Sequence, residues 1–234
     1  MNGRAVSRRR VLALTGGLVP VLAGWNNLVV PRLPDHPGAY VGANLTAAGA
    51  TLAAARWAGL SWAEIGLARG RLTAGLRWGG SCAAPVAAGY GIAVAVPALR
   101  PLLRDARIAA LDGAQLAHQA LVRVPFGTVL WEEVAFRGVL LAAGARMLSL
   151  PAATAVSSAV FGIWHIRPTL DALAANDVDG GPVAVALGCL GTAAAGVAFT
   201  LLRTGSGSLL APALLHAATN SLGTLAAAAA FRLS

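Results

Sequence analysis

Two carboxylates and a guanidinium stand within one apolar run, Trp131-Glu132-Glu133-Val134-Ala135-Phe136-Arg137-Gly138. An ionised side chain in hydrocarbon costs at least ~2.5–3.5 kcal/mol, so three together need partners or a chemical role. Glu133 and Arg137 are four apart and share a helix face, which permits an ion pair. Glu132 is rotated ~100° from Glu133 and needs a different partner. This spacing favours one structural carboxylate, neutralised by Arg137, beside one free to act as a base. The alternative is that both glutamates bridge neighbouring helices.

Two further polar positions lie in apolar stretches: His165, at the end of Ser157–His165, and the pair His216 and Asn220. Ser149-Leu150-Pro151 reads as a tight reversal, with Pro151 suited to a first helical turn. The helices on either side are then antiparallel neighbours. Glu132 and His165 each lie ~21–22 Å from that turn at 1.5 Å per residue, so they are level. The i,i+4 spacing of His216 and Asn220 puts both on one face. The other histidines stand apart. His36 falls in a Pro-rich loop, and His118 is ~21 Å from Glu132 along a continuous helix.

The elements that position these groups are membrane helices. Of 234 residues 57% are hydrophobic and 12% charged, against about 25% charged in a soluble domain. The expected fold class is all-α: a polytopic membrane helix bundle of about seven transmembrane helices. Candidate spans are 11–30, 40–60, 81–99, 114–147, 151–166, 182–202 and 208–231. The whole chain, 1–234, reads as a single integral membrane domain with a catalytic core over about 114–231. Ser61-Trp62-Ala63-Glu64 has capping-box spacing and, with Trp78 and nearby arginines, reads as a short interfacial helix. The stretch 167–181, with three aspartates, reads as a solvated connector.

All eighteen basic residues are arginine, and the formal charge is +9. The arginines sit at segment ends, where they orient a membrane protein, and this speaks against nucleic acid as a partner. With the N-terminus inside, ten fall on the inner side and six on the outer. Val6-Ser7-Arg8-Arg9-Arg10 resembles a twin-arginine export signal, but without a small-x-small cleavage site it reads as an anchor. Cys82 and Cys189 fall in separate apolar stretches and read as packing residues. Asn44-Leu45-Thr46 matches a glycosylation sequon inside an expected span and is discounted.

The three polar groups in order, Glu132-Glu133-x-x-Phe136-Arg137-Gly138, Phe161-x-x-x-His165 and His216-x-x-x-Asn220, resemble the signature motifs of the CPBP family. This is the CAAX protease and bacteriocin-processing, or Abi, family of intramembrane endopeptidases, which includes the type II CAAX prenyl endopeptidases. The resemblance covers roughly residues 125–225. It implies hydrolysis of a peptide bond in a membrane-associated peptide or protein, at the lipid bilayer of the cell membrane. It also implies that Glu132 and His165 activate a water, that His216 and Asn220 stabilise the oxyanion, and that Glu133 and Arg137 support the first helix. No cofactor is expected. Zinc on Glu132, His165 and His216 is the alternative, although the local His-Glu-x-x-His arrangement of zincins is absent.

Two other functions compete with proteolysis: a non-catalytic immunity or scaffold protein of the same fold, and a proton-coupled transporter using the intramembrane carboxylates. Oligomeric state, substrate identity and side of access are not legible in the residues.

Overall fold

A computed structural model of the chain describes residues 2–233, with side chains from Arg8. The side chains of Arg4, Val6 and Ser7, in the signal-like segment, lie outside the described residues. Of the described chain 86% is helical and none is in a strand.

Helix boundaries follow local chemistry. Helix α1 (Asn2–Gly24) runs on through a widened turn to Val29. Helix α2 (Pro37–Trp57) starts with Pro37 at its first turn and His36 Nδ1 accepting from Gly38 N. Helix α3 (Trp62–Ile65) is closed by the expected capping box: Ser61 Oγ accepts from Glu64 N, and Glu64 accepts from Ser61 N. It ends at Gly66, φ 88°, a left-handed position that suits glycine. Helix α4 (Leu72–Ala95) begins earlier than the apolar run suggests, so Arg77 and Trp78 lie inside it rather than on the interfacial segment.

Helix α5 (113–145) is capped by Asp112 and Gln115, and it widens to i→i+5 turns over Gln119–Val129 and again over Glu133–Leu140. Pro125 lies in the first widened stretch. Its ring has no N–H and crowds the carbonyl one turn back, a conflict that a looser turn relieves. Helix α6 (Leu150–Trp164) follows the reversal, with Pro151 in its first turn, and breaks at His165. The connector expected over 167–181 is a correction: it contains helix α7 (Ile166–Ala175), on which Arg167 and Asp171 form an i,i+4 ion pair. Helix α8 (Gly181–Ser206) ends at Gly207, φ 68°, and helix α9 (210–232) carries a third widened stretch, Ala218–Leu222.

Among the described residues, two helices are long and apolar enough to cross a membrane, Arg8–Arg32 and Gly181–Ser206. A third is added if Trp62–Ala95 and Pro97–Leu103, bent by 117°, form one span. The expectation of seven is therefore not reproduced by length and composition. Helix α6, with 15 residues, is ~22 Å long against ~30 Å of hydrocarbon.

Small residues set the helix spacing. A Cβ on Gly162 would stand 2.7 Å from Cys189 O, so α6 and α8 touch backbone to backbone there. A Cβ on Gly79 would meet Ala211 O at 2.8 Å, which joins α4 to α9 in the same way. Cys82 and Cys189 are free thiols.

Candidate active site

Helices α5 and α6 are antiparallel, and the level expected for Glu132 and His165 holds to within one residue. The indole Nε1 of Trp164 donates to Glu132 Oε1 at 2.9 Å. Both side chains are buried, Glu132 at 2% exposure and Trp164 at 0%. The second oxygen, Oε2, has no hydrogen-bond partner in the protein and lies 3.7 Å from His216 Nε2. Glu132 therefore keeps one oxygen anchored and one uncommitted.

Glu133 faces the other way. Its Oε1 accepts from Arg137 at 3.1 Å and pairs with His216 Nδ1 at 2.8 Å. The Arg137 guanidinium is 1% exposed and packs 3.9 Å from the Phe161 ring and 4.9 Å from that of Phe199. A carboxylate and two aromatic faces compensate this buried cation, while its second terminal nitrogen has no hydrogen-bond partner in the protein. The expected ion pair of Glu133 with Arg137 is present. Each glutamate also bridges to a neighbouring helix, Glu132 to α6 and Glu133 to α9.

His165 sits at the break after α6, where its Nδ1 meets Phe161 O at 2.8 Å. A carbonyl only accepts, so this contact places the proton on Nδ1 and leaves Nε2 with its lone pair. Paired with an ionised Glu133, His216 carries its proton on Nδ1 in the same way and presents Nε2 towards Glu132. Edge-on aromatic contacts lock the surroundings: Trp131 with Trp164, and Phe136 with both Trp164 and Phe161.

A cavity of about 1010 Å³ is lined by Glu132, His165 and Asn220. Its mouth carries Val30, Leu102, Arg107 and Arg167. His216 is not among the lining residues and is 4% exposed. Asn220 lies in the widened turn over Ala218–Leu222 and lines the cavity, while His216, four residues before it, meets the glutamates.

Among the described residues, no group of three His, Cys, Asp or Glu side chains comes together as a metal-holding set, and Glu132, His165 and His216 are no exception. Glu132 Oε1, His165 Nδ1 and His216 Nδ1 each meet a protein partner, whereas Glu132 Oε2 has no hydrogen-bond partner.

Several cavity residues carry no signal in the motifs. Tyr40 hydrogen-bonds Thr128 at 3.1 Å, and its ring lies under the guanidinium of Arg123 at 4.0 Å; all three line the cavity. Asn26 lines it too, 7% exposed and with Oδ1 unpartnered. Asn44, half of the discounted sequon, is fully buried: it accepts from Trp25 Nε1 at 2.7 Å and donates to Gly127 O at 2.8 Å, tying α2 to α5. His36 and His118 stand apart from the glutamates but together line an adjoining cavity of about 680 Å³.

The fold is that of an apolar helical membrane protein with a carboxylate and an imidazole on one internal cavity. Residues 115–222 match the family described as Type II CAAX prenyl endopeptidase Rce1-like. This match supports the CAAX protease (CPBP) family for residues 115–222, and the activity that goes with that family is proteolysis. No curated protein and no solved structure matches the chain.

Proposed function

We propose that the protein is a multi-pass intramembrane endopeptidase of the cell membrane that hydrolyses a peptide bond in a membrane-associated peptide or protein, with Glu132 as the base. The observation that carries the reading is the asymmetry of Glu132: Oε1 held by the Trp164 indole, Oε2 without a partner, in a side chain that borders the cavity. A water in the cavity gives a proton to Oε2 while its second hydrogen meets Nε2 of His165. The resulting hydroxide attacks the scissile carbonyl carbon. The amide of Asn220 donates to the oxyanion, and donors of this kind contribute a few kcal/mol in a dry site. Collapse of the tetrahedral intermediate breaks the C–N bond, and the proton held on Glu132 passes to the leaving amine. His216 acts through Glu132 and Glu133 as a positioning residue. The reaction is drawn without a metal, the water being held between Glu132 Oε2 and His165 Nε2.

The test is cleavage of lipid-anchored peptide libraries by the full chain in liposomes, read by mass spectrometry. Glu132→Gln keeps the Trp164 contact and removes the base, with an expected loss of about 10²–10⁴-fold. Equal cleavage by Glu132→Gln and the unaltered protein overturns the reading in favour of a non-catalytic role.

A further inference from the structure

The helix break that carries His165 is bridged by a side chain of α1. Pro168 makes the break necessary: it has no N–H to give Trp164 O, and its ring crowds that carbonyl, so α6 does not run on as a regular helix. His165 stands between α6 and α7 with φ −93° and ψ 7°, and its N–H turns back three residues to Gly162 O at 3.0 Å. In an unbroken helix Arg167 N would donate to Ile163 O.

The Asn27 carboxamide takes the place of that bond. Its Nδ2 donates to Ile163 O at 2.9 Å, and its Oδ1 accepts from Arg167 N at 2.9 Å. A side-chain amide carries a donor and an acceptor as a peptide unit does, so it splices α6 to α7 where their own bond is open. The second hydrogen on Nδ2 goes to Ala23 O at 2.7 Å, one turn back on α1. Two acceptors and one donor admit a single orientation of the amide. Asn27 lies within the widened turn Trp25–Val29 and does not line the Glu132 cavity, whereas its neighbour Asn26 does.

Ile163 and Arg167 flank His165 by two residues on either side. Between these fixed points the imidazole is held edge-on to Phe161 at 4.5 Å, with Nδ1 on Phe161 O and the ring bordering the cavity. We infer that Asn27 is a positioning residue for His165: by standing in for the Arg167–Ile163 bond it keeps the helix open there and aims Nε2 into the cavity. The inference rests on the proteolytic reading above, in which that nitrogen meets the attacking water. Without Asn27 the two backbone groups return to each other, the turn becomes regular, and the imidazole swings from the wall.

The test uses the full chain in liposomes with a lipid-anchored peptide that it cleaves, together with solid-state NMR of isotopically labelled histidine rings. The His165 signal is assigned by its loss in His165→Gln. Asn27→Leu keeps the volume and removes both bonds. Its kcat is expected to fall roughly 10- to 100-fold, the worth of two hydrogen bonds, with KM nearly unchanged and the His165 signal displaced. Asn27→Asp separates positioning from packing. The ionised carboxylate keeps the Arg167 contact but opposes Ile163 O, whereas the protonated carboxyl donates to Ile163 O and restores both bonds. Its rate relative to the unaltered protein is therefore expected to rise as pH falls into the range where carboxylates protonate. Taking the ratio cancels the loss of base at Glu132, and the charged side chains of the adjoining turn, Arg167 and Asp171, pair with each other. This variant carries the test where Asn27→Leu does not fold. An unchanged kcat in Asn27→Leu, an effect on KM alone, a His165 signal that does not move, or a ratio that does not rise on acidification overturns the inference. If the unaltered protein cleaves nothing while Asn27→Leu still displaces the His165 signal, the proteolytic reading falls and the hold of Asn27 on His165 stands.

Discussion

Trp164 donates its indole N–H to Glu132 across 2.9 Å, joining the helix of the first motif to that of the second one residue before His165. This bond makes the two carboxylate oxygens unequal. Replacing Trp164 by Phe keeps the aromatic contacts with Trp131 and Phe136 but removes the donor. Glu132 is then free to turn, and a buried oxygen loses its partner at a cost of about 1–3 kcal/mol. Trp164→Phe is expected to lower kcat at least tenfold with KM nearly unchanged, because the bond orients the base and does not touch substrate. A change confined to KM refutes this role.

The Glu133–Arg137–His216 group predicts stability rather than rate. Arg137→Ala leaves Glu133, buried at 1% exposure, with no cation and only its contact to His216. Breaking such a pair costs about 3–5 kcal/mol, whereas replacing both partners with apolar residues of like volume recovers much of the loss. Thermal unfolding in detergent should therefore rank the unaltered protein above Glu133→Leu with Arg137→Met, and that double variant above Arg137→Ala. A double variant no better than the single one removes the argument.

How much of this was legible follows from which residues obey α-helical register. Glu132 and His165 were placed level from the turn at Ser149-Leu150-Pro151, because the count on either side of it is short enough for rise to hold even across the widened stretch Glu133–Leu140. The widened stretches over Gln119–Val129 and Ala218–Leu222 were not legible, since periodicity of apolar residues does not encode them. Pro125 was the available sign for the first of these; Ala218–Leu222 has none. The first half of the chain offered no motif, yet Asn26 and Tyr40 line the cavity with Glu132, and Asn44 ties α2 to α5. Their polar atoms are single residues in apolar helices, and only packing shows what they meet. The connector at 167–181 was read from its aspartates as solvated, although Arg167 and Asp171 already stood at i,i+4 spacing.

The interfacial helix α3 predicts a pH response. The Arg146 guanidinium, together with the Ser61 hydroxyl and backbone N–H, holds the Glu64 carboxyl down to about 2. Its folded value is below the ordinary carboxylate value, so its contribution is complete above about pH 4.5. It is lost as pH falls from there towards 2. The pair is partly exposed and the contribution small, about 0.5–1 kcal/mol for the cap and ion pair together. Glu64→Gln should lower the unfolding temperature by a few degrees at pH 7, and the gap should close on acidification. A gap that widens as pH falls contradicts the assignment.

The cavity opens at one end of the bundle, and the charges say which. Arg10 donates to Trp57 O, Arg146 binds Glu64, and Arg203 donates to Glu64 O, so one end gathers α3 with the N-terminal arginines. The opposite end holds the mouth, where Asp105 and Asp171 bind Arg107 and Arg167. The remaining aspartates, Asp35, Asp112, Asp177 and Asp179, also lie at that end, in the links that precede α2, α5 and α8. Arginines concentrate on the cytoplasmic side of membrane proteins. The mouth is therefore expected to face away from the cytoplasm, which would restrict substrates to peptides presented from outside. In a protein with Cys82 and Cys189 replaced by Ala, Leu102→Cys, 80% exposed at the mouth, should react with an impermeant maleimide in intact cells. Trp62→Cys, on α3, should react only after permeabilisation. The reverse pattern turns the mouth to the cytoplasm and makes cytoplasmic tails the substrates.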